Sequence, residues 1–295
     1  MIPERWAPRT TQIVILGALS VRMPRLNRVP DRCGASVRRE GGSRRANPSA
    51  AYLSDRSLLP RSIMASDLKR ISKEIAVDLE LDGPPVQITY LDEPPRGVPE
   101  HVGAVPSVCT FFSEGRASAF YAALPAHEAC EIGAYVMGIP PAGELGHRLS
   151  DTLQFMQGEG YLRPGEEAAI PRNPSPPRYV AYGPLGSLPV FPTSVLIFAN
   201  PKAAMLAMEA AGQAAPLNGR PMCSIIPVLH QGAPVALSLG CTGSRIYARL
   251  RDDQMVVGIR GDWIQEFSRR LRSIRHANEA IAKEDRRRQS TFPRT

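Results

Sequence analysis

Four cysteines carry most of the chemistry in this chain. Cys109 and Cys130 lie in its first half, Cys223 and Cys241 in its second. The two pairs share a cadence. Cys109 heads an apolar segment, Gly115-Arg116 follows, then a strand-like run, then Cys130 with Gly133 three residues on. Cys223 heads an apolar segment, Gly232 follows, then a strand-like run, then Cys241 with Gly243 two residues on. If such a unit is duplicated about a pseudo-twofold, all four thiols can meet at one centre. A [4Fe–4S] cluster needs four thiolates in a tetrahedral arrangement, and zinc in a Cys₄ site needs the same. Widely spread, all-thiolate ligands favour the cluster, with zinc second. Against both, no C-x-x-C occurs, and local chelation is the usual sequence signature of a metal. Free cysteine also packs as a small hydrophobe, so a chain with no cofactor and purely structural cysteines stays open. Disulfides are not expected without an export signal.

A second chemistry overlaps the last cysteine. Ala236–Arg251 runs from apolar residues into Gly240-Cys241-Thr242-Gly243, which reads as a tight turn at the end of a strand. Gly243, Ser244 and Arg245 could form an anion-binding nest for a carboxylate or phosphate, with Arg116 as the matching group in the first half. The plainer reading is a β-turn with a surface arginine. The five histidines (His101, His127, His147, His230, His276) are scattered, with no H-E-x-x-H. His127, three residues before Cys130, could serve as a ligand or base, but a solvated loop histidine is the plainer reading. The phosphate loops G-x-G-x-x-G and G-x-x-x-x-G-K-[ST] are absent, as is the G-x-S-x-G elbow. No reaction class is named by any of this.

The elements that must position these residues alternate between helix and strand. Ser66-Asp67 is a helix start, and Leu68, Ile71, Ile75 and Leu79 give residues 67–80 an apolar face. Val86–Leu91 alternates as a strand. Strands are also expected at 118–124, 179–182, 194–198, 235–239 and 255–259. Helices are expected at 131–139, 144–157 and 202–211, the last with Pro201 at its first position after an Asn200 cap. Asp262 is expected to cap a final helix whose narrow apolar stripe (Ile264, Phe267, Leu271, Ile274, Ile281) suits core or a homodimer contact. This mixture predicts an α/β (α+β) fold of two similar halves packed together, about 64–170 and 178–262, divided at the proline-rich 171–177 and followed by the C-terminal helix. The halves together form a single globular domain, 64–295.

The formal charge of +8 is not spread over that domain. Residues 1–63 hold twelve arginines, no lysine and four acids, which accounts for all of it. Residues 64–295 carry 24 basic and 24 acidic groups, so the basic footprint of a nucleic-acid binder is missing. The first 63 residues read as a disordered Arg-rich extension or an over-extended start, with Met64 the initiator. Ile13–Leu19 is short for a signal-peptide core, and no stretch approaches the roughly 20 apolar residues of a membrane span. A cytoplasmic location is therefore expected.

These features together resemble domain-of-unknown-function family 169, a group of uncharacterised prokaryotic proteins. The resemblance covers about residues 67–275. It rests on Gly83-Pro84-Pro85-Val86-Gln87-Ile88, Val108-Cys109, Gly115-Arg116, Phe120-Tyr121, and Cys130 with Gly133. It continues through Tyr179–Leu185, Val195-Leu196-Ile197 with Asn200-Pro201, Cys223, Ser238–Arg245 and Asp253–Ile259. The four cysteines fall at family cysteine positions, and Cys33 does not. The resemblance implies a shape and a cysteine set, not an activity. The expectation is a cysteine-ligated iron–sulfur or metal protein with a redox or anionic-ligand-sensing role and a redox partner. The alternative is a metal-free small-molecule-binding module.

Overall fold

The computed structural model describes residues 65–212, 217–218 and 221–291. The expectations placed on residues 1–63, Cys33 among them, lie outside the described residues. Eight α-helices and seven strands are described. In chain order they are α1 (Ala65–Asp78), β1 (Val86–Leu91), α2 (Val108–Glu114), β2 (Phe120–Ala123), α3 (Glu131–Val136) and α4 (Gly143–Gly158). They continue with β3 (Tyr179–Pro184), β4 (Ser194–Ala199), α5 (Pro201–Ala211), β5 (Leu217–Asn218), α6 (Ile225–His230) and β6 (Val235–Ser238). The last are α7 (Thr242–Tyr247), β7 (Met255–Arg260) and α8 (Ile264–Gln289). The mixed α/β class expected from the sequence is what the chain adopts.

One sheet runs through the molecule in the order β2-β3-β1-β4-β7-β6-β5. All neighbours are antiparallel except β5 on β6. The apolar stripe of α1 (Leu68, Ile71, Ile75), the alanines of α5 and the first turns of α8 (Ile264, Phe267, Leu271) cover one face. Helices α2, α3 and α6 cover the other, over Val86, Ile88, Val180, Tyr182, Leu196 and Val256. Strands buried on both faces explain runs such as Ser194–Ala199, buried at every position, where alternation gives no face.

The strand order reads the same from either side when β1 is exchanged with β4, β3 with β7 and β2 with β6. The registers obey that exchange. At the seam, Val86 pairs with Leu196 and Ile88 with Ser194, while the Gln87–Val195 pair sits at the centre and maps onto itself. Glu100 makes a parallel bridge to Tyr121 of β2, and Leu217 pairs in parallel with Leu237 of β6. The proline-rich segment 171–177 leads directly into β3, and β4 follows β3 in the chain. Two boundaries also differ from the sequence reading. The apolar segment headed by Cys109 is helix α2, capped by Ser107. Asp262 does not cap α8: it lies in a 3₁₀ turn, Gly261–Trp263, and pairs with Arg260 at 2.6 Å, while Trp263 holds the cap position.

Gln87 is fully buried at the seam centre. Its amide donates to the Val190 carbonyl (2.6 Å) and the Thr89 hydroxyl (3.2 Å), and its oxygen accepts the Gly186 N–H (3.1 Å). A buried donor or acceptor left unpaired costs about 1–3 kcal/mol. Gln87→Leu, which strands two such backbone groups, is expected to lower stability by about 2–4 kcal/mol. Urea unfolding should show a lower midpoint at an unchanged slope, and an unchanged midpoint would refute this role for Gln87.

Candidate functional site

Two of the four cysteines cap helices. Cys130 stands at the N-cap of α3 in extended backbone, and its sulfur accepts the Gly133 N–H at 3.3 Å. Cys241 stands at the N-cap of α7, and its sulfur accepts the Ser244 N–H at 3.4 Å. Ser244 closes a capping box there, accepting the Cys241 N–H at 2.9 Å. The expected tight turn is thus a chain reversal at Gly240, where φ is +83°, followed at once by a helix start. Gly133 is fitted to its sulfur, since a Cβ there would lie 2.9 Å from Cys130 Sγ and 2.5 Å from Val108 Cγ2.

The other two cysteines are buried, each 4% exposed. Cys109 lies in the first turn of α2, and Cys223 in the 3₁₀ turn Met222–Ser224 that leads into α6. The neighbouring Cys223 thiol pulls the Cys109 thiol below the ordinary cysteine value against its burial. Proximity to Cys109, with burial, raises Cys223 well above that value. Cys223 also feels the charges of Cys130 and Cys241, so one sulfur lies within electrostatic reach of the other three. Burial raises Cys130. Ser107 joins the first pair: it accepts the Cys109 N–H at 3.3 Å and lies 4.0 Å from the Cys130 sulfur. All four cysteines are free. Among the described residues no three His, Cys, Asp or Glu side chains are gathered as a metal-ligand set. The residue after each buried cysteine, Thr110 or Ser224, has a buried hydroxyl with no hydrogen-bond partner among the described residues.

The expected anion-binding groups are engaged within the chain. Arg245 donates to the carbonyls of Arg251 (2.5 Å) and Leu239 (2.9 Å), and Asp252 lies 3.6 Å away. Gly243 and Ser244 belong to α7, and the Ser244 N–H goes to the Cys241 sulfur. Arg116 pairs with Asp82 at 2.7 Å and lies 4.9 Å above the Phe198 ring. Asp82 also accepts from Arg251 and, at 3.2 Å, from Gln254, tying the first half to the second. Burial works to raise this carboxyl, but the bonds from Arg251 and Arg116 outweigh it and hold the group below its ordinary value.

The sequence reading missed a buried polar layer beside the thiols, and His127 has to be corrected. It is fully buried, not in a solvated loop. Its Nδ1 lies 3.1 Å from the carbonyls of Ala123 and Leu124, so that nitrogen carries the proton and Nε2 accepts from Tyr182 Oη at 2.8 Å. Tyr182 stacks on Phe111 and feels Cys109, and burial holds its phenol neutral. On the other side, Ser194 Oγ is 3.3 Å from His230 Nε2, His230 Nδ1 is 3.1 Å from Asn173 Oδ1, and Asn173 donates to Tyr90 Oη at 2.9 Å. This imitates a Ser-His-Asn relay, but Ser194 is fully buried within β4 and no substrate reaches it. The available signal was the tyrosines: Tyr90 alternates with Val86 and Ile88, and Tyr182 with Val180, on the strand face that the cysteine helices cover. A cleft of about 100 Å³ lined by Tyr135, Leu149, Leu153, Glu167, Ala168 and Ile170 includes no cysteine. It is smaller than the roughly 300 Å³ at which ligand pockets begin.

Burial lowers both His127 and His230 from 6.5 to about 4. Between those values the unfolded chain binds protons that the folded chain refuses, so stability falls as pH falls through the window. The loss should reach on the order of 2 kcal/mol per histidine by about pH 5. Urea midpoints at about pH 7.5 and pH 5 should differ accordingly, and His127→Gln should remove roughly one proton from the slope. An unchanged slope in that variant would contradict the neutral, buried assignment.

Comparison with known proteins adds a family and nothing more specific. No curated protein and no solved structure matches the chain. A family model, described as "Uncharacterised ArCR", matches residues 74–270, a span that includes all four site cysteines, and the chain therefore belongs to domain-of-unknown-function family 169.

Proposed function

We propose that Cys109, Cys130, Cys223 and Cys241 hold an iron–sulfur cluster, [4Fe–4S] before zinc, in a protein of electron transfer or redox sensing. The observation that supports this reading is that Cys223 lies within electrostatic reach of the other three thiols, which come from separate elements in two matched settings. One buried cysteine and one helix-capping cysteine come from each half. The same reading takes the halves as a duplicated unit, in keeping with the reversible strand order and registers.

The donor set suits the group. It is all sulfur, which selects iron–sulfur or zinc over harder cations. The N–H groups of Gly133 and Ser244 already point at sulfur, and hydrogen bonds to cluster ligands are one means of setting a potential. The unpartnered hydroxyls of Thr110 and Ser224 are the kind of buried polar atoms that a bound group would account for. When bound, a cluster would supply one-electron chemistry, while the apolar core around α2 and α6 would keep water from it. Because Arg116 and Arg245 are committed to Asp82 and to backbone carbonyls, sensing of a small anionic ligand ranks behind the redox role. Free thiols agree with a cytoplasmic setting. No described helix is long and apolar enough to cross a membrane.

The metal-free small-molecule-binding module draws its support from the packing of Cys109 and Cys223 within the apolar core, where free cysteine serves as a small hydrophobe. Anaerobic purification followed by iron, zinc and acid-labile sulfide assays separates the two readings. The cluster predicts a brown protein with roughly four iron and four sulfide per chain. Cys223→Ala should lose both, and Cys33→Ala should keep both. A colourless, metal-free chain that stays folded and takes up no iron on anaerobic reconstitution would overturn the cluster and leave the module standing.

A further inference from the structure

Helices α3 and α7 occupy matching places: each begins at a cysteine cap, follows one exchanged strand (β2 or β6) and precedes another (β3 or β7). Their outer faces are treated differently. Aligned on the caps, Tyr135 and Val136 of α3 correspond to Ile246 and Tyr247 of α7. Val136 is 1% exposed, whereas Ile246 is 64% and Tyr247 46% exposed. Leu239, whose carbonyl is held by Arg245 of α7, is also exposed. In the first half the chain covers its own helix. Leu149 and Leu153 of α4, with Ile170, line the space against Tyr135, the Arg172 guanidinium lies 5.0 Å above the Tyr135 ring, and the Asn173 N–H donates to the Val136 carbonyl at 3.0 Å. In the second half the short connection 248–254 returns directly to β7, with no counterpart of α4.

We propose that a second copy of this chain covers the α7 face, packing Leu239, Ile246 and Tyr247 against their equivalents about a twofold axis. Clustered apolar side chains left exposed in this way mark an interaction surface. The charges around the patch select a copy of the chain as the occupant. Arg249, exposed and in left-handed backbone at φ +53°, has no ion pair among the described residues. Asp252, three residues on, is wholly exposed and lies 3.6 Å from Arg245 of α7. A patch bearing an open cation and an exposed carboxylate is self-complementary under a twofold, where residue i of one copy meets j of the other. The pairing places the second copy over the N-terminus of α7, where half-buried Cys241 lies, and so closes that side of the thiol centre. It does not depend on whether the thiols hold a cluster.

Sedimentation velocity of the full chain between roughly 1 and 100 µM tests the interface, with circular dichroism to verify folding. The expected result is a monomer–dimer equilibrium whose Kd rises at least ~tenfold in the double variant Ile246→Asp, Tyr247→Asp. Phe155→Asp, at an exposed site on α4, should leave it unchanged. Asp252→Arg should weaken the dimer, and adding Arg249→Asp should restore it by exchanging the two charges. A monomer at every concentration would overturn the proposal. So would a dimer indifferent to the Ile246 and Tyr247 changes, loss of the dimer in Phe155→Asp, or failure of the charge exchange to restore it.

Discussion

The antiparallel seam between β1 and β4 is the constraint on which the remaining geometry rests. Only three residue pairs form it, and beyond them Thr193 takes up the Ile88 carbonyl with both its N–H and its hydroxyl at 3.0 Å. A seam so short would be a weak join by ladder bonds alone, each contributing about 1 kcal/mol net. It is reinforced from within by Gln87 and from its flank by Asp82, which gathers Arg116 from one half and Arg251 and Gln254 from the other. Helices α2 and α6 cover the same face of the sheet on the two sides of this seam, and Cys109 and Cys223, at their starts, influence one another.

Two neighbouring buried thiols cannot both ionise cheaply without a compensating cation. Here the two are biased in opposite directions, Cys109 below the ordinary cysteine value and Cys223 well above it. The neighbouring polar side chains add no charge of their own: burial keeps Tyr90 and Tyr182 as phenols and His127 and His230 as neutral imidazoles. A region that refuses protons on its histidines and refuses to lose them from its tyrosines accepts further negative sulfur only together with a cation. This is the electrostatic ground on which the proposed cluster rests.

The fold was legible where one face of an element met solvent. The stripes of α1 and α8 and the Asn200-Pro201 start of α5 were readable from spacing and cap chemistry. The position of β3 was readable, but its membership was not, because its partners β1 and β2 are set by long-range pairing that no local pattern encodes. The helix after Cys109 was hidden for a related reason: seven residues are too few for a helical period to declare itself. At the site, the cysteines were visible by type, while their use as caps was not, since sulfur is not among the usual cap acceptors. His127 was placed in solvent because Leu-Pro-Ala-His looks like a loop. It is a single 3₁₀ turn, Leu124–His127, folded inward so that two carbonyls and a phenol satisfy the ring.

The choice of cysteine at both caps is itself an argument about function. Serine or aspartate at Cys130 and Cys241 would satisfy the N–H three residues on with a harder, better-matched acceptor, and caps of that kind stabilise a helix by about 1 kcal/mol. Both are short helices, with little hydrogen bonding of their own to spare for a weak cap. A sequence selected for stability alone would have no reason to prefer sulfur twice, at matching places, beside the two buried cysteines. Sulfur does what oxygen cannot at such a position: it takes an N–H bond and still offers a polarisable lone pair to a soft partner. The proposed cluster would account for stability given up at α3 and α7, and the capping sulfurs are less buried than those of Cys109 and Cys223.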